Sequence, residues 1–265
     1  MMKPVVLALA LMVAAATAAA QDPPPGPYEA KLDGQLAAHD FGGVAQAIVG
    51  AHDEDSVGRG LNWLKDQQLN RGAGSQITFL YAASLWRVSR GLPEPYHTGL
   101  GQSAGVQLLL VRWMLATEGF QCVDATAPHD RLVAIEGQLQ PVDQFVTALS
   151  EADLKPMKDL ALKALLVTFP RRANDIWLCQ GGIAQYGKYF DKHPEIGQKS
   201  VEELGGKTVP GTVGKTVVLN DPSIMPDFAP YADWKSKRHA ALDRITDSLG
   251  RARLTGYSDD RHRMK

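Results

Sequence analysis

The chain has little excess charge of either sign, and this shortage limits its partners. Lysine and arginine together number 28 and aspartate and glutamate 29, so the formal net charge is −1. Such a balance gives no electrostatic reason to expect nucleic acid as a partner. Residues 253–265 are locally basic but also contain Asp259 and Asp260, a composition that is typical of a solvated tail.

Long hydrophobic runs are missing after the first twenty residues. The closest candidate, Val106 to Ala116, is interrupted by Arg112, whereas a membrane-spanning helix needs about 20 consecutive apolar residues. We therefore expect a mature chain without a transmembrane segment. Its length fits one soluble domain, with or without an appendage, that can bury an ordinary core.

Cysteine is scarce, because the chain has only Cys122 and Cys179. In an exported chain these two residues can pair, since disulfides form in oxidising compartments. In the chain-entropy model, closing the loop between them contributes about 4 kcal/mol to stability. We predict a disulfide between Cys122 and Cys179, and two buried free thiols are the alternative.

Metal-ligating residues do not occur in pairs at helical spacing. No two histidines are three or four residues apart, so no helix face presents two imidazoles to a metal ion. The acidic run after His52 lacks the alternating acids and central glycine of a calcium loop, and it fits a helix start better. We predict no metal site and no cofactor. The histidines are His39, His52, His97, His129, His193, His239 and His262.

The N-terminus has the pattern of a cleavable signal peptide. Lys3 gives a basic start, Val5 to Ala16 form a short apolar run, and Ala18-Ala19-Ala20 provide a small-residue exit. This arrangement predicts cleavage between Ala20 and Gln21 and export to the periplasm or to the outside of the cell. No cysteine follows the cleavage site, so a lipid anchor is not expected. A retained membrane anchor is the alternative interpretation.

Hydrophobic side chains at helical spacing are abundant. The clearest stripe runs from Ile77 to Val88, and another runs from Val106 to Met114. These stripes predict an all-α fold of packed helical hairpins. The segment from Trp63 to Tyr96 has the length and plan of one tetratricopeptide-like unit. No second copy occurs at a fixed period, so a short array of such units is one form that the hairpins could take.

A later stripe places apolar residues three and four apart around the second cysteine. Its members are Ile176, Cys179, Ile183, Tyr186 and Phe190. The spacing predicts a helix with Cys179 on its buried face. Glycines within this stretch lower its helix propensity, so we expect close contact with a neighbouring helix there.

Changes in composition divide the chain into six segments. Proline is concentrated before the first helix, and glycine and proline are again frequent after residue 195, where a small hairpin is possible. The predicted segments are a signal peptide at 1–20, a proline-rich leader at 21–27, a helical domain at 28–194, an irregular segment at 195–229, a C-terminal helix at 230–252 and a charged tail at 253–265.

One short motif points to nucleophilic catalysis. Gly101-Gln102-Ser103-Ala104-Gly105 matches G-x-S-x-G, the nucleophile elbow of serine hydrolases. A serine, acid and histidine can be written in the matching order as Ser103, Asp175 and His193. The residues before the motif do not form an apolar strand, however, and the elbow requires a strand, a tight turn and a helix. Capping of a helix by Ser103 is the preferred interpretation.

Two segments share part of the pattern of a phosphate-binding loop. Gly206-Lys207-Thr208 and Gly214-Lys215-Thr216 match its end, but Val201 and Val209 replace the required first glycine. A flexible loop or a hairpin is the preferred interpretation of both segments.

Tryptophan provides the last candidate for a site. Trp63, Trp86 and Trp177 lie at or beside the main apolar stripes, and three such rings along one groove could hold a peptide or a glycan. Aromatic packing in and around the core is the preferred interpretation.

These patterns favour a non-enzymatic function. We expect an exported helical protein of the cell envelope, a binding, scaffold or interaction protein that receives a protein or peptide partner on a concave helical face. Two alternatives stay open, a serine hydrolase that uses Ser103 and an envelope inhibitor or immunity protein.

Overall fold

The computed structural model describes residues 26–200, 203, 207–208, 215–216, 221 and 223–249. The predicted signal peptide at 1–20, the leader up to residue 25 and the charged tail at 253–265 lie outside these residues. Of the two partial phosphate-loop motifs, only the lysine and threonine pairs at 207–208 and 215–216 are described. Within the described part, no helix combines the length and the apolar character that crossing a membrane requires.

The described part of the chain is all-α, as the sequence predicts. Three short 3₁₀ turns and one pair of two-residue antiparallel strands, β1 (Lys207–Thr208) and β2 (Lys215–Thr216), accompany the helices. The helices are α1 (Pro27–Ala37), α2 (Phe41–Val49), α3 (Glu54–Leu69), α4 (Ser75–Ser89), α5 (Tyr96–Glu118), α6 (Thr126–Gln138), α7 (Gln140–Thr147), α8 (Glu151–Thr168), α9 (Ile176–Cys179), α10 (Ile183–Lys192) and α11 (Tyr231–Ser248).

Helix α5 is the centre of the fold. It packs against α4, α7, α8 and α11, and its buried residues face several directions around the helix. A helix that is apolar on most sides is stable only inside a protein, where neighbouring helices cover it. Leu108, Leu110 and Val111 are accordingly almost completely enclosed.

A buried ion pair joins α5 to the end of α8. Arg172 donates to the carboxylate of Glu118, and both side chains are almost fully buried. Arg172 also donates to the hydroxyl of Thr168 and to the carbonyl of Leu165. These additional acceptors matter because a buried guanidinium is tolerated only when its charge and its N–H groups are partnered.

The C-terminal helix belongs to the same core as the preceding helices. Trp234, Leu242 and Ile245 of α11 are buried. The residues just before α11 form an antiparallel bridge between Phe228 and Cys122, supported by the backbone hydrogen bond from Ala229 to Gln121. The end of the predicted irregular segment is therefore fixed against the 3₁₀ turn after α5.

The stripe around the second cysteine forms two helices rather than one. Helix α9 ends at Cys179 and α10 begins at Ile183, and between them Gly181 has a φ of +82°. This left-handed conformation favours glycine and interrupts a helix. The prediction that Cys179 is buried is confirmed, whereas Ile183 and Phe190 are exposed because the break turns α10 away from the core.

Candidate functional site

A cleft of about 530 Å³ lies between two groups of helices. Helices α2 and α4 form one side, and α6, α9 and the start of α10 form the other. The volume falls in the range of sites that hold small organic molecules. The lining residues that the site's chemistry depends on are Phe41, Gln76, Phe79, Leu80, Asp130, Arg131, Ala134, Ile135, Trp177, Gln180, Gly181, Gln185, Tyr186, Tyr189 and Asp221.

Much of the cleft wall is apolar. Phe79 and Leu80 come from the buried face of α4, and Ile135 comes from the buried face of α6. Phe41, at the start of α2, also lines the cleft. Aromatic and aliphatic walls of this kind supply most of the contact area in small-molecule sites, while a few polar groups fix the orientation of the ligand.

Arg131 is the main charged group built into the wall. Its guanidinium carbon lies 4.5 Å from the centre of the Trp177 ring, and Trp177 also stacks on Phe79, with ring centres 6.2 Å apart and planes at 11°. A cation over an indole face is attracted by the ring's electron density. Only 9% of Trp177 is exposed, so its ring serves to position Arg131 rather than to stack on a ligand.

Two backbone carbonyls fix the guanidinium further. Nε of Arg131 donates to the carbonyl of Trp177 over 3.0 Å, and Nη2 donates to the carbonyl of Gln180 over 3.2 Å. The turn at Gly181 follows directly, and its positive φ lets the chain curve around the guanidinium. The side chain is therefore held on three sides before any ligand arrives.

The charge of Arg131 has no counter-charge in contact with it. Among the described residues no carboxylate oxygen lies within 4.0 Å of its nitrogens, and Nη1 makes no hydrogen bond to them. Burial lowers the pKa of Arg131, with weaker opposing effects from Tyr186, Asp175 and Asp130. The guanidinium is nevertheless cationic at neutral pH, so the cleft contains a poorly solvated positive charge.

Amide side chains hold the cleft walls in place. Nε2 of Gln76 donates to the carbonyl of Phe41 over 2.7 Å and so ties α4 to the start of α2. On the opposite wall, Nε2 of Gln185 donates to the carbonyl of Ile224 over 2.7 Å, and its Oε1 accepts from the amide of Gly181. These bonds fix the shape of the cleft.

Asp221 also lines the cleft, and two basic side chains, Lys192 and His193, contact its carboxylate. Its carboxylate accepts from Lys192 over 2.7 Å and lies 3.0 Å from Nε2 of His193. Ser223 also donates to it. Hydrogen bonds from Lys192, Ser223 and His193 hold the pKa of Asp221 well below its usual value, so this carboxylate is ionised and already partnered.

The structure places Ser103 inside a helix rather than on a strand-to-helix turn. Ser103 is the eighth residue of α5, so it lies inside the helix and does not cap its start as expected, and its hydroxyl donates to the carbonyl of Gly99 over 3.0 Å. The motif's glycines allow close packing, because a Cβ on Gly105 would lie 2.5 Å from Met157 and 2.6 Å from Val146. This context differs from the strand, turn and helix that a nucleophile elbow requires.

Asp175 and His193, the other two residues of the possible catalytic triad, have separate hydrogen-bond partners. The carboxylate of Asp175 accepts from the amide and the hydroxyl of Ser75, over 2.5 and 2.6 Å, and from the amide of Leu178 over 3.1 Å. Burial raises the pKa of Asp175, while these hydrogen bonds oppose the increase. His193 instead contacts Asp221. No hydrogen bond joins Ser103, Asp175 and His193 to one another in the described part of the chain.

The structure brings the two cysteines together next to the cleft. Cys122 and Cys179 lie at disulfide-bonding distance, with Cα atoms 5.1 Å apart and a sequence separation of 57. Cys179 is the last residue of α9, the short helix that also provides Trp177. The link therefore joins the wall of the cleft to the end of α5.

The tryptophans do not share one groove. Of Trp63, Trp86 and Trp177, only Trp177 lines the cleft. Trp63 is buried and donates to Asp33 over 2.9 Å, and Trp86 packs against Phe145 with ring centres 5.6 Å apart. Their positions correspond to the predicted aromatic packing.

Sequence reasoning missed Arg131 as a site residue. It is one of 28 basic residues, and neither a motif nor its spacing distinguishes it from a solvated charge on an amphipathic helix.

The described residues contain no group of three or more histidine, cysteine or acidic side chains that could hold a metal ion. Comparison of the chain with protein-family models, curated proteins and solved structures finds no match.

Proposed function

We propose that this chain is an exported binding protein of the cell envelope that holds a small ligand in the cleft between α2, α4, α6 and α9. One observation carries the proposal: a 530 Å³ cleft with apolar walls contains a positioned guanidinium that has no counter-charge among the described residues. Apolar walls with a few fixed polar groups are typical of ligand sites. The signal-peptide pattern at 1–20 and the cysteine pair support export.

Binding is favoured over hydrolysis because of the surroundings of Ser103. A serine nucleophile needs a general base within hydrogen-bonding reach, and the hydroxyl of Ser103 donates to a helix carbonyl instead. The cleft, in contrast, offers shape and charge without requiring a reacting group. The proposal also narrows the expected partner from a protein or peptide to a small molecule that fits the enclosed volume.

The proposal predicts that filling the cleft abolishes ligand stabilisation. Ala134 lines the cleft from α6, so Ala134→Trp places an indole in the ligand's space. We expect at least one member of a panel of carboxylates, amino acids, sugars and short peptides to raise the melting temperature of the unmodified protein. At a concentration 100-fold above Kd the increase should be about 5 °C or more. Differential scanning fluorimetry measures it.

Ala116→Trp is the matched control. Ala116 is also an exposed helical alanine, but it lies on α5 and outside the lining of the cleft. The same ligand should stabilise this variant as it does the unmodified protein, while Ala134→Trp should show no increase. A ligand that stabilises all three proteins equally binds elsewhere, and a panel without any hit would count against the proposed function.

A further inference from the structure

We infer that Arg131 makes the cleft selective for a small organic monocarboxylate with an apolar or aromatic body, an inference that rests on the binding function proposed above. The starting point is a half-buried charge that has no ionic partner in the described part of the chain. Such a charge is stabilised by an anion that reaches it, because desolvation strengthens the attraction between the two.

The guanidinium is prepared for this role by its contacts. Trp177 holds one side of it, and the carbonyls of Trp177 and Gln180 occupy Nε and one N–H of Nη2. The N–H groups of Nη1 make no hydrogen bond to described residues and are available to a ligand. A side chain fixed before binding loses little conformational freedom when the ligand arrives, and this increases affinity.

The other charges of the cleft favour a ligand with a single negative charge. Asp130 lines the cleft beside Arg131 as an exposed carboxylate, and Asp221 adds a second one. Lys192 and His193 are already engaged by Asp221. Apart from His39, no further basic side chain lines the described cleft. A dianionic phosphate would meet one guanidinium and two carboxylates, whereas a carboxylate matches the one available cation.

The remaining walls indicate the body of the ligand. Phe41, Tyr186 and Tyr189 present aromatic surface to the cleft, and Phe79, Leu80 and Ile135 line it as nearly buried apolar side chains. Apolar surface that leaves water on these walls contributes to affinity roughly in proportion to its area. A carboxylate at Arg131 therefore sets the orientation, and an apolar body supplies most of the contact area.

A matched pair of probes tests the inference. 3-Phenylpropionate and 3-phenylpropanamide have nearly the same shape and differ in charge, and their Kd values are measured by isothermal titration calorimetry with the purified protein. We expect the acid to bind the unmodified protein about 10- to 100-fold more tightly than the amide. In Arg131→Gln this preference should disappear, because the affinity for the acid should fall to that for the amide. Phenyl phosphate should bind more weakly than the acid.

Measurable binding of the amide to Arg131→Gln shows that the cleft of this variant is intact, which a merely structural role of Arg131 would not give. If Arg131→Gln does not fold, Arg131→Lys replaces it. That variant keeps the charge but loses the planar fork, so the acid should bind about tenfold less tightly and the amide equally well.

Four results would overturn the inference. Three concern relative affinity: equal affinities of acid and amide for the unmodified protein, an acid preference that survives in Arg131→Gln, and binding of phenyl phosphate as tight as that of the acid. The fourth is that neither 3-phenylpropionate nor 3-phenylpropanamide binds. Each of these results leaves the proposed function standing, because the proposed function is tested by the loss of panel ligands in Ala134→Trp.

Discussion

Asp175 is a buried ionisable side chain and Arg131 a half-buried one, and they differ in how their hydrogen bonds are supplied. Asp175 accepts from Ser75 and Leu178 and so joins the start of α4 to the start of α9. Arg131 has two backbone carbonyls as acceptors but no carboxylate within reach in the described residues. A buried charge is retained where a partner compensates it. This contrast is why Arg131, and not Asp175, indicates a ligand.

The environment of Ser103 predicts that the protein does not react with fluorophosphonates. Its hydroxyl is bonded within α5, and a hydroxyl without an adjacent base is a weak nucleophile at neutral pH. A fluorophosphonate probe should label the folded protein no more strongly than it labels Ser103→Ala, as measured by in-gel fluorescence. An active serine hydrolase in the same sample serves as the positive control. Labelling that disappears in Ser103→Ala would revive the hydrolase hypothesis.

At the scale of elements, the break between α9 and α10 shows where periodicity misleads. The apolar spacing continues across it, yet α9 ends at Cys179 and a new helix, α10, begins at Ile183. The first amides of α10 are hydrogen-bonded by side chains from another segment of the chain. The carboxylate of Asp124 accepts from the amide of Ala184, and the hydroxyl of Thr126 accepts from the amide of Ile183. Side chains from the region where α6 begins thus cap α10, and no local pattern could have indicated this.

The disulfide between α9 and the end of α5 is predicted to contribute about 4 kcal/mol in the chain-entropy model, for a loop of 57 residues. The double variant Cys122→Ser/Cys179→Ser should lose about this much free energy of unfolding, as measured by urea denaturation. Adding a reductant should lower the stability of the unmodified protein to a similar extent and leave the double variant unchanged.

Intact mass spectrometry of the protein expressed from the full sequence checks the predicted disulfide and the predicted signal-peptide cleavage together. The unreduced mass should correspond to a chain that begins at Gln21 and lacks two hydrogens. Complete alkylation of both thiols without reductant would show that the disulfide does not form.

The attachment of α1 to α3 predicts a contribution to stability that acid removes. Arg59 donates from Nε to Glu29 over 2.7 Å, and its hydrogen bonds lower the pKa of Glu29 from 4.5 to about 2. Because the folded-state pKa is lowered, this contribution is fully present above the unfolded-state value of about 4.3 and is lost as the pH falls towards 2. The difference in unfolding free energy between the unmodified protein and Glu29→Gln should therefore shrink over this range.

Arg59→Gln provides the second arm of this test, since it removes the partner and leaves the carboxylate. It should lose the same pH-dependent contribution, and combining the two substitutions should add little further loss. A difference that stays constant between pH 5 and pH 2 would contradict the assigned role of the pair.

For the whole molecule, the sequence predicts the helices better than their arrangement. The stripes from Ile77 to Val88 and from Val106 to Met114 lie within α4 and α5, because the helical period is a local property that neighbouring residues reveal. The cleft depends on how α2, α4, α6 and α9 meet, which involves residues far apart in the chain. The side chain of Arg131 is positioned by contacts with Trp177, which lies 46 positions later in the chain.

The position of Cys179 makes the rigidity of the cleft wall depend on the redox state of the compartment. Helix α9 has four residues and carries both Trp177 and Cys179, so the sulfur link anchors the support on which the guanidinium rests. A chain kept among cytoplasmic reductants would hold this support by hydrogen bonds and packing alone. In an oxidising compartment the same support would gain a covalent tie, and closing that tie would be the last step in making the wall around Arg131 rigid.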